Sequence, residues 1–380
     1  VDEAHNVAPA GVGDYAIDSL RTQAIRTLVP HFEHRLFLTA TPHNGYPNSF
    51  TALLEMLDNQ RFARGVTPNP NQLEAIMVRR LKSEFVDWDG ESRFKRRILD
   101  VIEVDYSEEE RQVHRWLREY TELRHKSAKS NQARYATEFV LKLLKKRMFS
   151  SPAAFALTLE KHTETLKKGT AKQSKSKKSI SPGILRRRIA QIDEDYAIDD
   201  EYETAIDDAV DTASNLFETL SPREKKLLDQ MQSWAIRATH QVDRKTEAFL
   251  AWLGETVKPG GDWNNERVII FTEYRATQNW LQGLLASSRL GSDDRLMTIY
   301  GGMDTDRREE IKAAFQARPD QSPVRILLAT DSASEGIDLQ NYCHRLVHFE
   351  IPWNPNRMEQ RNGRVDRHGQ RHDVLIYHFA

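Results

Sequence analysis

No G-x-x-x-x-G-K-[ST] phosphate loop occurs anywhere in the 380 residues, so the chain by itself offers no standard cradle for a nucleoside triphosphate. Cysteine is nearly absent. The lone Cys343 excludes a disulfide framework and a Cys-rich zinc site and fits a reducing compartment. No apolar run approaches the roughly 20 residues that a bilayer crossing needs, so no membrane partner is expected and a cytoplasmic setting is. Charge of one sign is also lacking. Lys and Arg number 55 against 56 Asp and Glu, a net charge of −1. Any nucleic-acid binding must therefore come from local patches rather than from a global basic field.

Hydrophobic residues make up 39% of the chain, which supports globular cores, and 29% charged residues imply much exposed helix. The length suits two or three domains. Residues 1–57 read as the tail of an α/β domain. Val1-Asp2-Glu3-Ala4-His5 looks like the end of a buried strand running into an acidic pair. Leu36-Phe37-Leu38 is a second short apolar run, ending in Thr39-Ala40-Thr41-Pro42. Phe50, Leu53, Leu54 and Leu57 have helical spacing behind a candidate N-cap, Ser49. Residues 58–260 are mainly helical. Ser107-Glu108-Glu109-Glu110 opens one helix with acidic residues in its first turn, a second runs from about 135 to 149, and a third from 243 to 257. Between them a Lys/Ser/Gly-rich stretch at 167–183 reads as a flexible basic loop and Asp193–Asp211 as an acidic segment; the simplest reading is two solvated segments, with contact between them or with DNA as the alternative.

Residues 261–380 alternate strand and helix. The runs at 268–271, 325–329, 346–349 and 374–377 are apolar without interruption, as in a parallel sheet covered on both faces. Helices are expected at about 276–286, 306–317 and 356–364. The fold class is α/β with doubly wound parallel sheets, and ligands gather at the carboxyl ends of the strands of such sheets.

Four clusters stand at those ends. Asp2 and Glu3 form an acidic pair of the kind in which one carboxylate holds Mg²⁺ and the next orients or deprotonates a water. Thr39-Ala40-Thr41 offers two hydroxyls among small residues; an ordinary strand-to-turn transition is the alternative. Thr330 to Gln340 is polar, follows an apolar strand and carries Gly336; a plain loop is the alternative. Gln360-Arg361-Asn362-Gly363-Arg364-Val365-Asp366-Arg367 places Arg364 and Arg367 three residues apart, on one face if the segment is helical. Two such guanidiniums suit the charge developing on a γ-phosphate, the alternative being a solvated basic helix.

The four clusters in this order, D-E-A-H, T-A-T, S-E-G-I-D-L-Q and Q-x-x-G-R-x-x-R, resemble the Swi/Snf-type ATPases of helicase superfamily two. Met77-Val78-Arg79-Arg80-Leu81-Lys82 resembles a further segment of that family. Gly336-Ile337-Asp338-Leu339 and Arg364-Val365-Asp366-Arg367 depart from the eukaryotic remodeller pattern and are more similar to the bacterial and archaeal branch, which includes the RNA-polymerase-recycling ATPase. The stretch Asp2–Tyr46 further resembles the Swi/Snf-like helicase component of DISARM phage-defence systems.

The resemblance implies two RecA-like lobes, of which residues 1–57 end the first, 58–260 form a helical protrusion and linker region, and 261–380 form the second. It implies that the phosphate loop lies upstream and that this chain is a fragment. It implies ATP and Mg²⁺ as cofactors and duplex DNA, read without sequence preference, as partner, with defence-system proteins as further partners. By position, Asp2 would hold Mg²⁺ and Glu3 would be the catalytic base. His5, Gly336, Asp338 and Gln360 would approach or support the nucleotide, with Arg364 and Arg367 completing its site. Thr39 and Thr41 would couple that site to DNA. Thr272, Gly301, Gly302 and Thr330 lie in segments that would track a DNA backbone through N–H groups and hydroxyls, which read no sequence. The rival to an ATP-driven translocase is a module that only docks DNA or a partner.

Overall fold

The structure, a computed structural model, describes residues 1–9, 19–40, 42, 47–172, 182–192, 196–291, 294–334, 336–352 and 354–380. Two units emerge. One comprises Val1–Phe94, Arg186–Asp195 and Pro352–Gln360, and the other Lys95–Leu185, Tyr196–Ile351 and Arg361–Ala380. The helices are α1 (Leu20–Leu28), α2 (Pro47–Leu57), α3 (Pro70–Glu74), α4 (Glu108–Ser127), α5 (Asn131–Ser150), α6 (Pro152–Lys172), α7 (Pro182–Ile192), α8 (Asp199–Ser214), α9 (Pro222–Ala238), α10 (Arg244–Val257), α11 (Arg275–Ser287), α12 (Thr305–Gln316), α13 (Asp331–Ser334) and α14 (Pro355–Asn362).

The larger unit is built on a six-stranded sheet formed by β1 (Arg97–Ile102), β2 (Val268–Thr272), β3 (Leu296–Ile299), β4 (Ile326–Thr330), β5 (Arg345–His348) and β6 (Val374–Phe379). Their order is β1-β6-β5-β2-β4-β3, with every pair parallel. The α/β reading and its parallel sheet are thus borne out. Because side chains alternate across a strand, β2 sends Ile269 and Phe271 into one core with Phe315 of α12, and Val268 and Ile270 into another with Phe249 of α10 and Leu281 of α11. All five residues of β2 and of β4 are buried. Helices on both faces explain why these strands read as unbroken apolar runs.

Two strands escape sequence reading. Leu296–Ile299 is short and only partly buried. Arg97–Ile102 interrupts its aliphatic residues with Arg97 and Asp100 and stays largely exposed, because it pairs on one side only, with β6, as the sheet edge. That edge strand comes from the region expected to be helical.

Helix starts follow local chemistry. Ser107 and Ser221 make reciprocal capping boxes with Glu110 and Glu224, and Asp243 accepts from Thr246 N–H. Val113, Leu117 and Tyr120 form the buried face of α4. The acidic segment is not a solvated run. From Asp199 onward it is α8, whose inner face is buried and whose Glu203 and Asp211 pair with Arg147 and Lys161. Of the basic loop expected at 167–183, residues 167–172 instead continue α6 and 182–183 begin α7, while 173–181, like 193–195 of the acidic segment, lie outside the described residues.

The smaller unit departs from expectation in three ways. Val1 is exposed rather than buried. Among the described residues of 1–94 no strand forms. Val1–Ala4 and Leu36–Leu38 are joined by the bonds Val1 N to Leu36 O, Leu38 N–H to Val1 O and Ala4 N–H to Leu38 O, short of a strand, and Leu36 and Leu38 stay exposed. Ser49 lies inside α2 rather than capping it; it is fully buried, and its hydroxyl donates to Pro9 O at 2.6 Å. Val7, Ala8, Val29, Leu53 and Met56 form this unit's core.

Candidate nucleotide and nucleic-acid site

In the smaller unit the acidic pair is exposed and the backbone there is unusual. Glu3 has φ 45° and ψ 50°, a left-handed conformation rare for a residue with a Cβ. Asp2 Oδ1 accepts Glu3 N–H at 2.9 Å. The turn sends Ala4 and His5 inward: His5 is 7% exposed, with Nδ1 3.0 Å from Thr39 Oγ1 and 3.3 Å from Glu3 Oε2. Gln360, in the segment grouped with this unit, has Nε2 3.4 Å from His5 Nε2. Glu3, His5, Thr39 and Gln360 therefore come together around one imidazole. Thr41 lies outside the described residues. Mg²⁺ takes one or two carboxylates plus phosphate oxygens and water rather than an all-protein cage. Asp2 with Glu3 fits that requirement, and no cluster of three or more metal-ligating side chains is found among the described residues.

In the larger unit, Arg364 and Arg367 do not share a helix face. Helix α14 ends at Asn362, and residues 363–369 form successive turns in which Arg364 N–H and Val365 N–H bond Arg361 O and Asn362 O. Gly369, with φ 91°, closes these turns. The turns carry the arginines to the loop after β4. Leu339 N–H donates to Arg364 O at 3.1 Å, and Arg367 ion-pairs with Asp338. Gly336, in that loop, has φ 72° and open space where a Cβ would stand. Asp338, Arg364 and Arg367 are thus neighbours. Their fixation comes from a residue to which sequence gave no role. Arg361 is completely buried, bonds both oxygens of Asp331 and donates to Glu350 O at 2.8 Å. His348, beside it, donates from Nε2 to Asn362 Oδ1 at 2.9 Å, and burial lowers its pKa to about 3.

The carboxyl ends of β2 and β5 flank the point where the strand order reverses, the usual ligand crevice of such a sheet. Here it is filled. Glu273, after β2, takes Lys146 Nζ at 2.6 Å and Tyr202 OH at 3.0 Å; Glu350, after β5, takes the Ser150 hydroxyl and Glu273 N–H at 3.2 Å. Lys245 Nζ donates to Phe149 O at 2.8 Å and lies 3.9 Å above the Phe349 ring. Burial raises the Glu350 pKa and lowers that of Lys245 to about 8.

At the neighbouring strand ends, Thr272 and Thr330 are register partners and completely buried. Gly301 N–H and Thr330 Oγ1 both donate to Asp199 Oδ2 at 2.9 Å. Gly302 has φ 87° and abuts Ile198. The structure thus brings Thr330 and Gly301 together on Asp199, with Thr272 in register beside Thr330. Their common partner, Asp199, sits in an acidic run that carries no pattern to single it out. Glu350 and Arg361 had a weak signal: each directly follows or lies within a segment of strand-end character.

Residues 252–369 match the helicase conserved C-terminal domain. That domain takes in β2 to β5 and all of Thr272, Gly301, Gly302, Thr330, Gly336, Asp338, Gln360, Arg364 and Arg367, while β1 and β6 complete its sheet from outside the match. The chain is similar to the uncharacterized ATP-dependent helicase YqhH of Bacillus subtilis strain 168, at 35% identity over 41% of this chain and 27% of that protein. It is also similar to the RNA polymerase-associated protein RapA of Proteus mirabilis strain HI4320, at 25% identity over 99% of this chain and 34% of that protein. The chain therefore spans about a third or less of these relatives. Among solved structures, the Pyrococcus furiosus Hef helicase domain aligns with TM-score 0.47 and 16% identity over 100% of this chain and 70% of that one. No helix among the described residues is long and apolar enough to cross a membrane.

Proposed function

We propose that the full-length protein is an ATP-dependent motor of the Swi/Snf type that moves on duplex DNA. The observation that carries this reading is the joining of two motif loops inside a helicase C-terminal domain, where Arg367 is held by Asp338 and Arg364 O by Leu339 N–H. Both members of the Arg367–Asp338 pair are about half exposed. Such a pair is worth at most about 1 kcal/mol, so a γ-phosphate can draw the guanidinium away at little cost. Asp2 supplies a carboxylate for Mg²⁺, which when bound with ATP would neutralise phosphate charge. Glu3, with its left-handed backbone and its contact to His5, is the candidate base, and strained conformations of this type are characteristic of functional sites. His5 ties Glu3 to Thr39, a route by which the state of the acidic pair reaches the T-A-T segment.

The test is ATP hydrolysis by the full-length protein with duplex DNA, single-stranded DNA and RNA compared. Glu3→Gln should abolish stimulated turnover while ATP still binds; near wild-type turnover would remove Glu3 from the mechanism. Arg367→Ala should lower turnover by about 10³ or more if it is the finger, whereas a loss under tenfold would make it structural.

A second reading has its own support. Similarity to RapA runs over 99% of this chain, which favours an ATPase acting on RNA polymerase. Retention of core RNA polymerase on the immobilised full-length protein, with a nucleic-acid-free control, separates the two readings. The D-E-A-H motif and the DISARM resemblance of Asp2–Tyr46 bear on pathway, and a plaque assay on cells with and without the gene tests a defence role.

A further inference from the structure

Asp199 occupies a position that a protein rarely gives to one of its own carboxylates. Gly301 N–H and Thr330 Oγ1 converge on its Oδ2, both at 2.9 Å, and the Ser332 hydroxyl also bonds it. Arg275 adds favourable charge from nearby, stacked 3.5 Å above the ring of Tyr300, the residue before Gly301. One backbone N–H, two hydroxyls and a guanidinium around a single anionic oxygen pair make a general anion cradle at the ends of β3 and β4. Beside these donors stands one that Asp199 does not engage. Thr272 is register partner to Thr330, so it shares that face of the sheet one strand away, about 4.8 Å. It is fully buried, and its hydroxyl has no hydrogen-bond partner among the described residues. A tetrahedral phosphate, with more oxygens than a carboxylate, can reach what Asp199 leaves unused.

The cover over this cradle is one chain thick. Of the run from Ala197 to Glu201, only Asp199 is buried; its neighbours on both sides are exposed. Close approach depends on the glycines. A Cβ on Gly301 would fall 2.6 Å from Ala197 O, and one on Gly302 would fall 3.1 Å from the Ile198 side chain. Asp199 also pays for its place, since burial raises its pKa despite the bonds that oppose the shift.

We propose that Asp199 is a built-in stand-in for a DNA phosphate: its carboxylate fills the Gly301–Thr330–Ser332 cradle in the free protein, and a phosphodiester of duplex DNA displaces it, lifting the first turn of α8. The proposal rests on the reading of the larger unit as DNA-binding. It makes the helical region an internal competitor of the track and not only a spacer.

The experiment is duplex binding by the full-length protein, without nucleotide, read by fluorescence anisotropy on a short labelled duplex. The variants are Asp199→Asn, Asp199→Ala, Thr330→Val and Asp199→Ala with Thr330→Val. If the closed form holds about nine molecules in ten, its removal tightens apparent binding about tenfold. Both Asp199 variants should show that gain, and Thr330→Val should cancel it in the double variant. Unchanged affinity in the Asp199 variants, together with weaker binding by Thr330→Val, would leave the cradle as a DNA contact and overturn the competition. Unchanged affinity in all four would remove the cradle from the DNA path. No binding to duplex by any form would instead refute the DNA reading itself. Hydrogen exchange on the wild-type protein covers the case of a variant that misfolds: adding duplex should speed exchange in residues 199–206, and unaltered exchange on a DNA-saturated sample overturns the proposal.

Discussion

Replacing Arg361 by Met should destabilise the larger unit more than any exposed ion-pair change in the chain. The side chain is completely buried, with two nitrogens on Asp331 and one on Glu350 O, and its guanidinium lies 5.5 Å from the Phe271 ring. Met keeps most of the packing volume but removes every donor. Asp331 then loses both bonds from the guanidinium, and Glu350 O loses the Arg361 donor. Breaking a buried pair from one side costs about 3–5 kcal/mol. The Asp331 side chain is 17% exposed, so water relieves part of the loss and the lower end, about 3 kcal/mol, applies. For a unit of this size that lowers the melting midpoint by about 6–12 °C. Asp331→Asn, which strands the buried cation instead, should cost at least as much, and the double variant should cost clearly less than the sum. Urea and thermal unfolding followed by tryptophan emission measure all three. A loss under about 1 kcal/mol for Arg361→Met, with additive double-variant behaviour, would show that Arg361 does not hold the two motif loops in place. The same bonds tie the ends of β4 and β5 to α14, so turnover of the full-length protein should fall with stability.

Acid should weaken the fold through two buried histidines. Burial lowers both His162 and His348 to about 3; the unfolded chain takes protons near pH 6.5 while the folded one does not, so stability falls as pH drops below 6.5. By pH 5 each contributes a loss of about 2 kcal/mol. The difference in unfolding free energy between wild type and His348→Asn, measured from pH 7 to 5, isolates one of them, and parallel curves would contradict its neutral state. Gly336→Ala should cost about 1–2 kcal/mol through left-handed backbone alone, because its φ is 72° and nothing crowds the added methyl; Gly336→Asn should cost less, and equal melting of all three would mean the loop adopts another conformation in solution. Gly301→Ala should crowd Ala197 O and the Ser332 side chain, destabilise by about 1–3 kcal/mol and raise exchange in the first turn of α8. Unchanged exchange there would show that the contact with residues 197–199 is not maintained.

Much of the larger unit was legible because buried parallel strands advertise themselves. Val268-Ile269-Ile270-Phe271 and Ile326-Leu327-Leu328-Ala329 have no polar face to hide, and Ser107 with Glu110 spells a helix start. The edge strand Arg97–Ile102 was not legible, since a strand paired on one side keeps polar residues that resemble loop. The face-sharing expected of Arg364 and Arg367 failed because spacing along the chain means proximity only while the helix continues, and it stops at Asn362.

The sequence by itself determined the α/β character of the second half, the positions of its chemistry-bearing loops and the acidic pair at Asp2 and Glu3. These are local properties, written in runs of apolar residues and in polar residues that follow them. Tertiary structure alone decided which of those loops meet. It buried Arg361 between two strand ends, closed the crevice between β2 and β5 with Lys146, Ser150 and Tyr202, and set Asp199 on Gly301 and Thr330. Pairings across 30 to 200 residues leave no periodicity in a sequence. They follow from the energetic need to give every buried charge and hydrogen-bonding group a partner, and only the folded chain shows which partner was found.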